Sequence, residues 1–236
     1  MKWKTLLDLI YPRACVGCGR ARPQTSSHLC WDCRADIHFI QPPYCAICGN
    51  PVPGHIDHDY VCSLCTTERP HYDCARASAR HEGPLRKMLM AFKYESALWL
   101  AGDIVDLLEA TVHTHFPVED IDAVACVPLH GARKRSRGYN QAEILGRSIA
   151  RRIGKPVLSR CVKRIRPTES QTHLTARQRT DNVKGAFATR WAHWIDTRRI
   201  LLVDDVMTTG ATASECALAL KQGGARSVNV LTVVRR

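Results

Sequence analysis

Eight cysteines between residues 15 and 65 restrict the folds open to this chain more than any other feature. They form four Cys-x-x-Cys pairs, separated by eleven, eleven and thirteen residues. The segment that contains them is rich in Pro, Gly and His and poor in large aliphatic side chains, so burial alone cannot stabilise it. Because the two thiolates of such a pair suit two corners of a tetrahedral zinc site, we expect metal to hold this segment together. The pairs are Cys15/Cys18, Cys30/Cys33, Cys45/Cys48 and Cys62/Cys65.

The regular separation of the pairs predicts two tandem zinc ribbons, each with one structural Zn²⁺ bound by four thiolates. Sequential pairing joins the first pair with the second and the third with the fourth, and a cross-braced arrangement is the alternative. Three nearby histidines are alternative ligands, but eight cysteines already fill two sites, so we expect these histidines at the surface. They are His28, His55 and His58.

The N-terminus lacks the features of an export signal. Met1–Ile10 is basic and then apolar, but Asp8 interrupts the apolar stretch, a Pro-Arg dipeptide follows it, and there is no small-residue cleavage site. We expect a short amphipathic helix packed on the rest of the chain, with a helix lying on a membrane surface as the alternative. The expected location is the cytoplasm, with a peripheral position at the inner face of the membrane as the alternative. The paired thiols are therefore expected to be metal ligands rather than disulfides.

The basic charge of the chain is concentrated in one segment. The formal net charge is +12 at pH 7. Residues 130–180 contain fourteen Lys and Arg against Glu143 and Glu169, whereas residues 1–72 contain seven Lys and Arg against six acids. A field of this sign attracts a polyanion, either nucleic acid or a small ligand with several phosphates. A solvated basic face that aids solubility is the alternative.

From Asp73 onward, helix-like and strand-like segments alternate. Apolar residues at helical spacing predict helices, and short apolar runs predict buried strands. Their alternation predicts an α/β domain with a mainly parallel sheet. We therefore expect two parts, with the zinc ribbons in residues 1–72 and the α/β domain in residues 73–236. Helices are expected at 85–94, 98–108, 141–152 and 213–222, and strands at 123–127, 200–203 and 227–234.

The clearest pattern in the second half is a strand followed by two acids, then by a loop of small residues and a helix. In the sequence ILLVDDVMTTGAT, Asp204 and Asp205 directly follow a buried strand. Backbone N–H groups at a helix N-terminus bind phosphate, and glycine lets the backbone come close. Carboxylates at the carboxyl end of a parallel strand can accept hydrogen bonds from a vicinal diol such as that of ribose. The order of these parts predicts a sugar-phosphate site rather than a P-loop, whose Gly-x-x-x-x-Gly-Lys-Ser/Thr is absent.

This stretch resembles the motif with which type I phosphoribosyltransferases bind phosphoribosyl pyrophosphate (PRPP). The resemblance implies that Asp204 and Asp205 are the catalytic pair that holds the ribose hydroxyls, and that the following loop holds the 5-phosphate. The residues of that loop are Val206, Met207, Thr208, Thr209, Gly210, Ala211 and Thr212.

A second stretch, VPLHGARKRSRGY, resembles the family's pyrophosphate loop and the helix that follows it. It is most similar to the version in glutamine PRPP amidotransferases, whose glutaminase domain has no counterpart here. The resemblance implies that this stretch binds the diphosphate. The residues that it assigns are Leu129, His130, Gly131, Arg137, Gly138 and Tyr139.

Taken together, the zinc cysteines and the PRPP motif are similar to those of the ComF/ComFC family, which is linked to natural competence and the use of external DNA. The stretches Val127–Glu143 and Gln171–Phe187 carry the same resemblance, so it extends over nearly the whole chain. It implies a type I phosphoribosyltransferase fold, with a mainly parallel sheet, behind an N-terminal zinc-ribbon module. It also implies PRPP or another ribose 5-phosphate as ligand, with Mg²⁺.

The resemblance leaves open whether the chain is an enzyme. A catalytic member would displace pyrophosphate at ribose C1, and segment 160–185 would close over PRPP as a mobile hood. Some members of the wider fold bind phosphoribosyl ligands for regulation and catalyse nothing, and the sequence identifies no acceptor. Candidate anion contacts in the hood are Arg164, Arg166, Gln171 and Arg177.

Two functions of other classes are alternatives. The basic segment, with or without the zinc ribbons, would bind single-stranded DNA, although its aromatic residues are too few for a dedicated stacking platform. The chain would otherwise be an adaptor, whose ribbons hold a competence helicase or membrane-associated uptake proteins. The aromatic residues in or near the basic segment are Tyr139, Trp191 and Trp194.

Overall fold

The computed structural model describes residues 14–21, 27–131, 135, 138–167 and 175–236. The helix expected at Met1–Ile10 lies outside these ranges. None of the helices within them is both long enough and apolar enough to cross a membrane.

A four-stranded, fully parallel sheet organises the larger part of the chain. Its strand order is β1-β6-β5-β2, and a separate antiparallel sheet pairs β3 with β4. Most residues of the middle strands β5 and β6 are buried because helices cover both faces of the sheet. The expected α/β fold with a mainly parallel sheet is therefore confirmed. The strands are β1 (Cys74–Arg80), β2 (Ala123–Cys126), β3 (Val162–Arg164), β4 (Phe187–Thr189), β5 (Arg199–Met207) and β6 (Ser227–Arg235).

The described helices divide between the cysteine-rich module and the two faces of the sheet. The helices are α1 (Trp31–Ala35), α2 (Ser63–Thr67), α3 (Gly83–Tyr94), α4 (Ala101–His115), α5 (Gln141–Arg152), α6 (Ala176–Val183) and α7 (Ala211–Gln222). Helices α3, α4 and α5 pack on the face that presents Leu201 and Val203, whereas α7 packs on the opposite face with Ile200 and Leu202. Three single-turn 3₁₀ helices complete the set, at Leu98–Leu100, Val118–Asp120 and Ala192–Trp194.

Helix α5 shows why the helical pattern was readable from the sequence. Leu145 and Ile149 are fully buried, while Arg147 and Arg151 point to solvent, as the 3.6-residue period requires. Its N-cap, Asn140, donates from its side-chain amide to the carbonyl of Val127 at 3.0 Å. This bond ties the start of α5 to the loop that leaves β2.

Strand β5 is longer than the sequence indicated. The expected strand ended at Val203, but β5 continues to Met207, because β6 runs beside it as far as Arg235. Strand β2 ends at Cys126, opposite Val203, so the last residues of β5 extend past its end. The two acids consequently lie inside the strand, at the carboxyl edge of the sheet.

Strand β1 was not expected, since its sequence CARASAR lacks the large β-branched residues that mark strands. It forms because β6 pairs with it on one side and chain from the cysteine-rich module lies along the other. Ile40 N donates to the carbonyl of Ser78 at 3.1 Å, and Ala75 N donates to that of Ile47 at 2.7 Å. The module thus covers an otherwise open sheet edge. The boundary expected after residue 72 stays a prediction.

Candidate functional site

Two groups of four cysteines have the geometry of closed zinc sites. In each group the four Sγ atoms lie within 4.8 Å of one another. Cys18 Sγ is 3.8 Å from Cys30 Sγ, and Cys48 Sγ is 3.8 Å from Cys62 Sγ. A tetrahedron with Zn–S bonds of about 2.3 Å has edges of about 3.8 Å, so the thiols fit structural Zn²⁺. Pairing is sequential, not cross-braced: the groups are Cys15/Cys18/Cys30/Cys33 and Cys45/Cys48/Cys62/Cys65.

The two ribbons repeat one local arrangement. Helices α1 and α2 each begin directly after the first cysteine of a second pair. The backbone N–H of Cys30 donates to Cys15 Sγ at 3.2 Å, and that of Cys62 donates to Cys45 Sγ at 3.4 Å. Such bonds favour the thiolate that zinc needs.

Histidine does not replace a cysteine in either group. His55 Nε2 lies 2.7 Å from Asp57 on the surface, and His28 Nδ1 lies 3.3 Å from Asp103. Within the described residues, both ligand groups consist of cysteine alone. His55 and His58 are exposed as expected, while His28 is only partly exposed.

The ribbons pack against different parts of the α/β domain. The first lies on α3, where Lys87 Nζ donates to the carbonyl of Gly17 at 2.6 Å. The second lies at the carboxyl edge of the sheet, where the buried Arg235 donates to the carbonyl of Cys48 at 2.6 Å and to Asn50 Oδ1 at 3.0 Å. The second ribbon is therefore next to the strand-loop-helix unit that carries the two acids.

The carboxylates of Asp204 and Asp205 have different surroundings, because neighbouring residues of a strand point to opposite faces. Asp205 Oδ1 is 2.9 Å from Lys93 Nζ of α3, and both side chains are 15% exposed. Asp204 accepts a hydrogen bond from the backbone N–H of Asp205 at 2.9 Å. Burial and the negative charge of Asp205 raise the pKa of Asp204 to about 7, although Lys93 and Arg164 oppose the shift.

The loop after β5 passes directly into the N-terminus of α7. Gly210, the N-cap, has a φ of +83°, and a Cβ there would lie 2.6 Å from Met207 Cε and 2.9 Å from the hydroxyl of Tyr72. Thr209, one residue before the N-cap, accepts through Oγ1 from the N–H of Ala211 at 3.4 Å, which satisfies the first N–H of the helix.

A small hollow lies in front of this helix end. Its volume is about 20 Å³, which is on the order of one water molecule, so the hollow is too small to enclose a larger group. The hollow is lined by Asp204, Val206, Met207, Thr208, Gly210, Ala211, Thr212, Ala213 and Thr232. The structure thus brings Asp204 together with most of the loop residues that the sequence singled out.

The loop after β2 lies at the same edge of the sheet. The backbone N–H of Val127 donates to the carbonyl of Val203 at 3.0 Å, so this loop starts level with the two acids. Leu129 and His130 are partly exposed and Gly131 is exposed. Gly138 has a φ of +82°, and the hydroxyl of Tyr139 donates to the carbonyl of Phe92 in α3. Arg137 lies outside the described residues.

The expected hood, residues 160–185, contains β3 and α6, and β3 pairs with β4 just beyond its end. Arg164 in β3 is 6% exposed, with its Cζ 5.3 Å from the centre of the Phe187 ring. Arg166 is exposed and donates to the carbonyl of Lys184 at 2.7 Å. Gln171 lies outside the described residues, and the side chain of Arg177 is not described.

Three residues near the site were missed by the sequence analysis. Lys93 pairs with Asp205 across more than a hundred residues, and Tyr72 packs beside Gly210. Arg190, directly after β4, lines a cavity beside the β2 loop. No local pattern indicates these contacts, because each depends on how distant segments pack.

Comparisons with known proteins agree with the cysteine pattern and cover nearly the whole chain. A family model described as a double zinc ribbon domain matches residues 6–67. Competence protein F of Haemophilus influenzae is 30% identical over 225 residues, which are 94% of this chain and 96% of that protein. DNA utilization protein YhgH of Salmonella typhi is 29% identical, over 88% of this chain and 96% of its own length.

Among solved structures, a glutamine PRPP amidotransferase from B. subtilis, complexed with ADP and GMP, has 16% sequence identity to this chain. The TM-score is 0.41, over 61% of this chain and 30% of the other. Neither value is high enough to transfer the role of any residue.

Proposed function

Because the chain belongs to the ComF family, that of competence protein F, we propose that it binds PRPP or another ribose 5-phosphate in the cytoplasm and acts in the uptake or use of external DNA. One observation carries the ligand assignment. Asp204 and Asp205 lie at the carboxyl end of β5, and the loop after them leads within a few residues to the N-terminus of α7. Such a unit offers carboxylates to a diol and backbone N–H groups to a phosphate.

Mg²⁺ is the cofactor that we propose for this site. Carboxylate oxygens are the protein ligands that Mg²⁺ prefers, and it binds proteins through few of them, together with the substrate phosphates. The raised pKa of Asp204 fits this assignment, since a nearby cation would favour the ionised carboxylate. When bound, the ion would neutralise charge on the diphosphate.

If the site turns over PRPP, the reaction is pentosyl transfer with loss of pyrophosphate. Positioning and charge stabilisation then matter more than a protein nucleophile. Asp204 and Asp205 would orient the ribose, the α7 N-terminus would hold the 5-phosphate, and the loop at residues 127–131 would hold the diphosphate.

Calorimetric titration of PRPP with Mg²⁺ tests the proposal. We expect saturable binding to the zinc-loaded wild type and a loss of at least tenfold in affinity for Asp204→Asn/Asp205→Asn, because both carboxylates lose their charge. Asp106→Asn is the matched control, since its carboxylate is 65% exposed and pairs with Arg152 on the outer surface. Ribose 5-phosphate, titrated in parallel, separates the contribution of the diphosphate.

The proposal fails if a folded, zinc-loaded wild type does not bind PRPP. It also fails if the double substitution binds as tightly as the control.

Binding of single-stranded DNA is a second candidate function, and it is favoured by a pair of exposed tryptophans. Trp191 is 57% exposed and Trp194 is 52% exposed. The guanidinium of Arg190 lies 6.0 Å from the Trp191 ring centre. Exposed rings beside a cation can stack with bases while the cation contacts the phosphate backbone.

Fluorescence anisotropy with a labelled oligothymidylate tests this second function. We expect Trp191→Ala/Trp194→Ala to weaken binding about tenfold or more, and wild-type binding to weaken steeply with salt. Trp31→Ala is the control, because Trp31 is also exposed and also lies beside a cation, Arg34. Equal losses in the two variants would contradict a role for Trp191 and Trp194.

A further inference from the structure

A cavity of about 230 Å³ lies beside the β2 loop, on the outer side of β2. Its lining combines apolar side chains, which include Ala125, Leu129 and Leu158 and are called the apolar wall below, with charged side chains, called the charged wall. This room suits a single-ring molecule rather than a larger one, since pockets for drug-sized ligands start at about 300 Å³. The cavity is distinct from the hollow in front of α7, which has its own lining.

The charged wall of the cavity is strongly positive. It carries four cationic side chains and one carboxylate, that of Glu143. The carboxylate accepts from Arg147 at 3.0 Å, and the same guanidinium donates to Ser159 Oγ at 2.7 Å. An external arginine therefore already balances the one acid of the lining. The four cations are Arg160, Lys163, Arg164 and Arg190.

The four cations differ in burial. Arg164 is 6% exposed, whereas Arg160, Lys163 and Arg190 are exposed and form the rim. The backbone N–H of Arg190 donates to the carbonyl of Cys161 at 2.6 Å, and this bond holds the backbone of Arg190 beside β3. One deep cation with a cationic rim is the arrangement that draws an anion inward.

The cavity adjoins the proposed PRPP site. Leu129 belongs both to its lining and to the loop assigned to the diphosphate. Arg164 lines the cavity, and its charge lowers the pKa of Asp204, so the buried guanidinium lies within electrostatic range of that acid. A molecule in the cavity would thus lie next to a bound phosphoribosyl group.

We propose that this cavity binds a second ligand beside PRPP, and that this ligand is a small organic anion with a ring or hydrocarbon body and one carboxylate or phosphate group. The anionic group would contact Arg164 and the cationic rim, and the body would lie on the apolar wall. The inference rests on the proposed function only for its statement that PRPP is the neighbouring ligand, because the volume and the lining of the cavity are observed without that ligand.

Ligand-observed NMR titrations of the full-length, zinc-loaded protein at pH 7.5 test the inference with three probes of similar size. Benzoate and phenyl phosphate carry an anionic group, and benzamide is the neutral analogue of benzoate. We expect at least one of the two anions to bind ten times more tightly than benzamide, because charge-assisted hydrogen bonds to guanidinium are about twice as strong as neutral ones. The tighter of the two identifies carboxylate or phosphate as the preferred group.

Two variants locate the binding. Arg164→Gln is expected to weaken the binding of the preferred anion several-fold and to leave the binding of benzamide unchanged. Because a substitution at a buried residue can unfold the chain, the exposed Arg190→Gln is tested beside it, with the same expected result. Arg151→Gln, on the solvent face of α5, is the charge-matched control. Equal binding of all three probes, absence of binding, or an equal loss in the control variant would each overturn the inference.

A PRPP titration on the same samples separates this inference from the proposed function. Binding of PRPP without any preference for the anions would sink the inference alone. Preference for an anion without binding of PRPP would support the cavity and contradict the proposed function.

Discussion

Asp204 and Asp205 are adjacent in the chain but differ in their electrostatic surroundings. Asp205 faces Lys93 on one side of the sheet, while Asp204 lies on the other side, where burial raises its pKa. A carboxylate that is costly to ionise in the empty protein is typical of a site that has its counter-charge supplied by a ligand or metal. Ionised Asp204 therefore destabilises the free protein.

The pH dependence of the stability of the free protein should reveal how unfavourable the ionisation of Asp204 is. Asp204 has a pKa of about 7 when folded against an ordinary value of 3.8, so the folded state binds its proton more strongly. The contribution of Asp204 to stability is thus complete below about pH 3.8 and is lost progressively as the pH rises to about 7. Asp204→Asn stays neutral, so we expect its melting temperature to exceed that of wild type at pH 8, by about 2–4 °C per kcal/mol of relief, and the difference to shrink steadily as the pH falls toward 4.

Thermal unfolding without ligand measures this difference, with Asp106→Asn as the control at an exposed carboxylate. A variant that is less stable than wild type at pH 8, or a difference that does not change with pH, would contradict the assigned environment of Asp204.

At the scale of elements, the turn from β5 into α7 depends on one glycine. Gly210 has a positive φ, and a side chain there would meet Met207 and Tyr72. We expect Gly210→Ala to lower the free energy of unfolding by about 1–3 kcal/mol and to weaken PRPP binding, because the loop must shift. Calorimetry on free and PRPP-bound protein measures both effects.

Gly102→Ala is the matched control for this substitution. Gly102 lies in α4 with open space around its Cα, so alanine there should stabilise the helix by about 0.5–1 kcal/mol. A Gly210→Ala protein as stable as the control would show that the loop conformation is not required.

The two ribbons should differ in their effect on ligand binding. The second ribbon contacts the end of β6 through Arg235, and Tyr72, which follows this ribbon in the chain, packs beside Gly210. The first ribbon lies on α3 instead. We expect Cys62→Ser and Cys30→Ser each to lose about one zinc. PRPP affinity should fall about tenfold only for Cys62→Ser, because the loss of the second ribbon displaces the loop between β5 and α7. Elemental analysis and calorimetry measure the two quantities, and equal losses of affinity would refute the coupling.

At the scale of the whole molecule, the sequence predicted the parts whose cause is local. Zinc ligands were readable from the spacing of Cys-x-x-Cys pairs, and the acids with their loop were readable from a strand-loop-helix order within thirteen residues. Strand β1 was not readable from the sequence, because it depends on pairing with β6, which joins residues as distant in the chain as Cys74 and Asn229. The Lys93–Asp205 pair and the docking of the second ribbon by Arg235 are likewise contacts between distant segments, which no local pattern encodes.

We propose that the carboxyl ends of β2 and β5 together bind a phosphoribosyl group. Hydrogen–deuterium exchange of the zinc-loaded protein, with and without PRPP and Mg²⁺, tests it most directly because it locates the bound ligand along the chain. We expect slower exchange in residues 204–213 and 127–131 and no change in the middle of α4. Unchanged exchange in both loops under saturating PRPP, or protection confined to other segments, would contradict it.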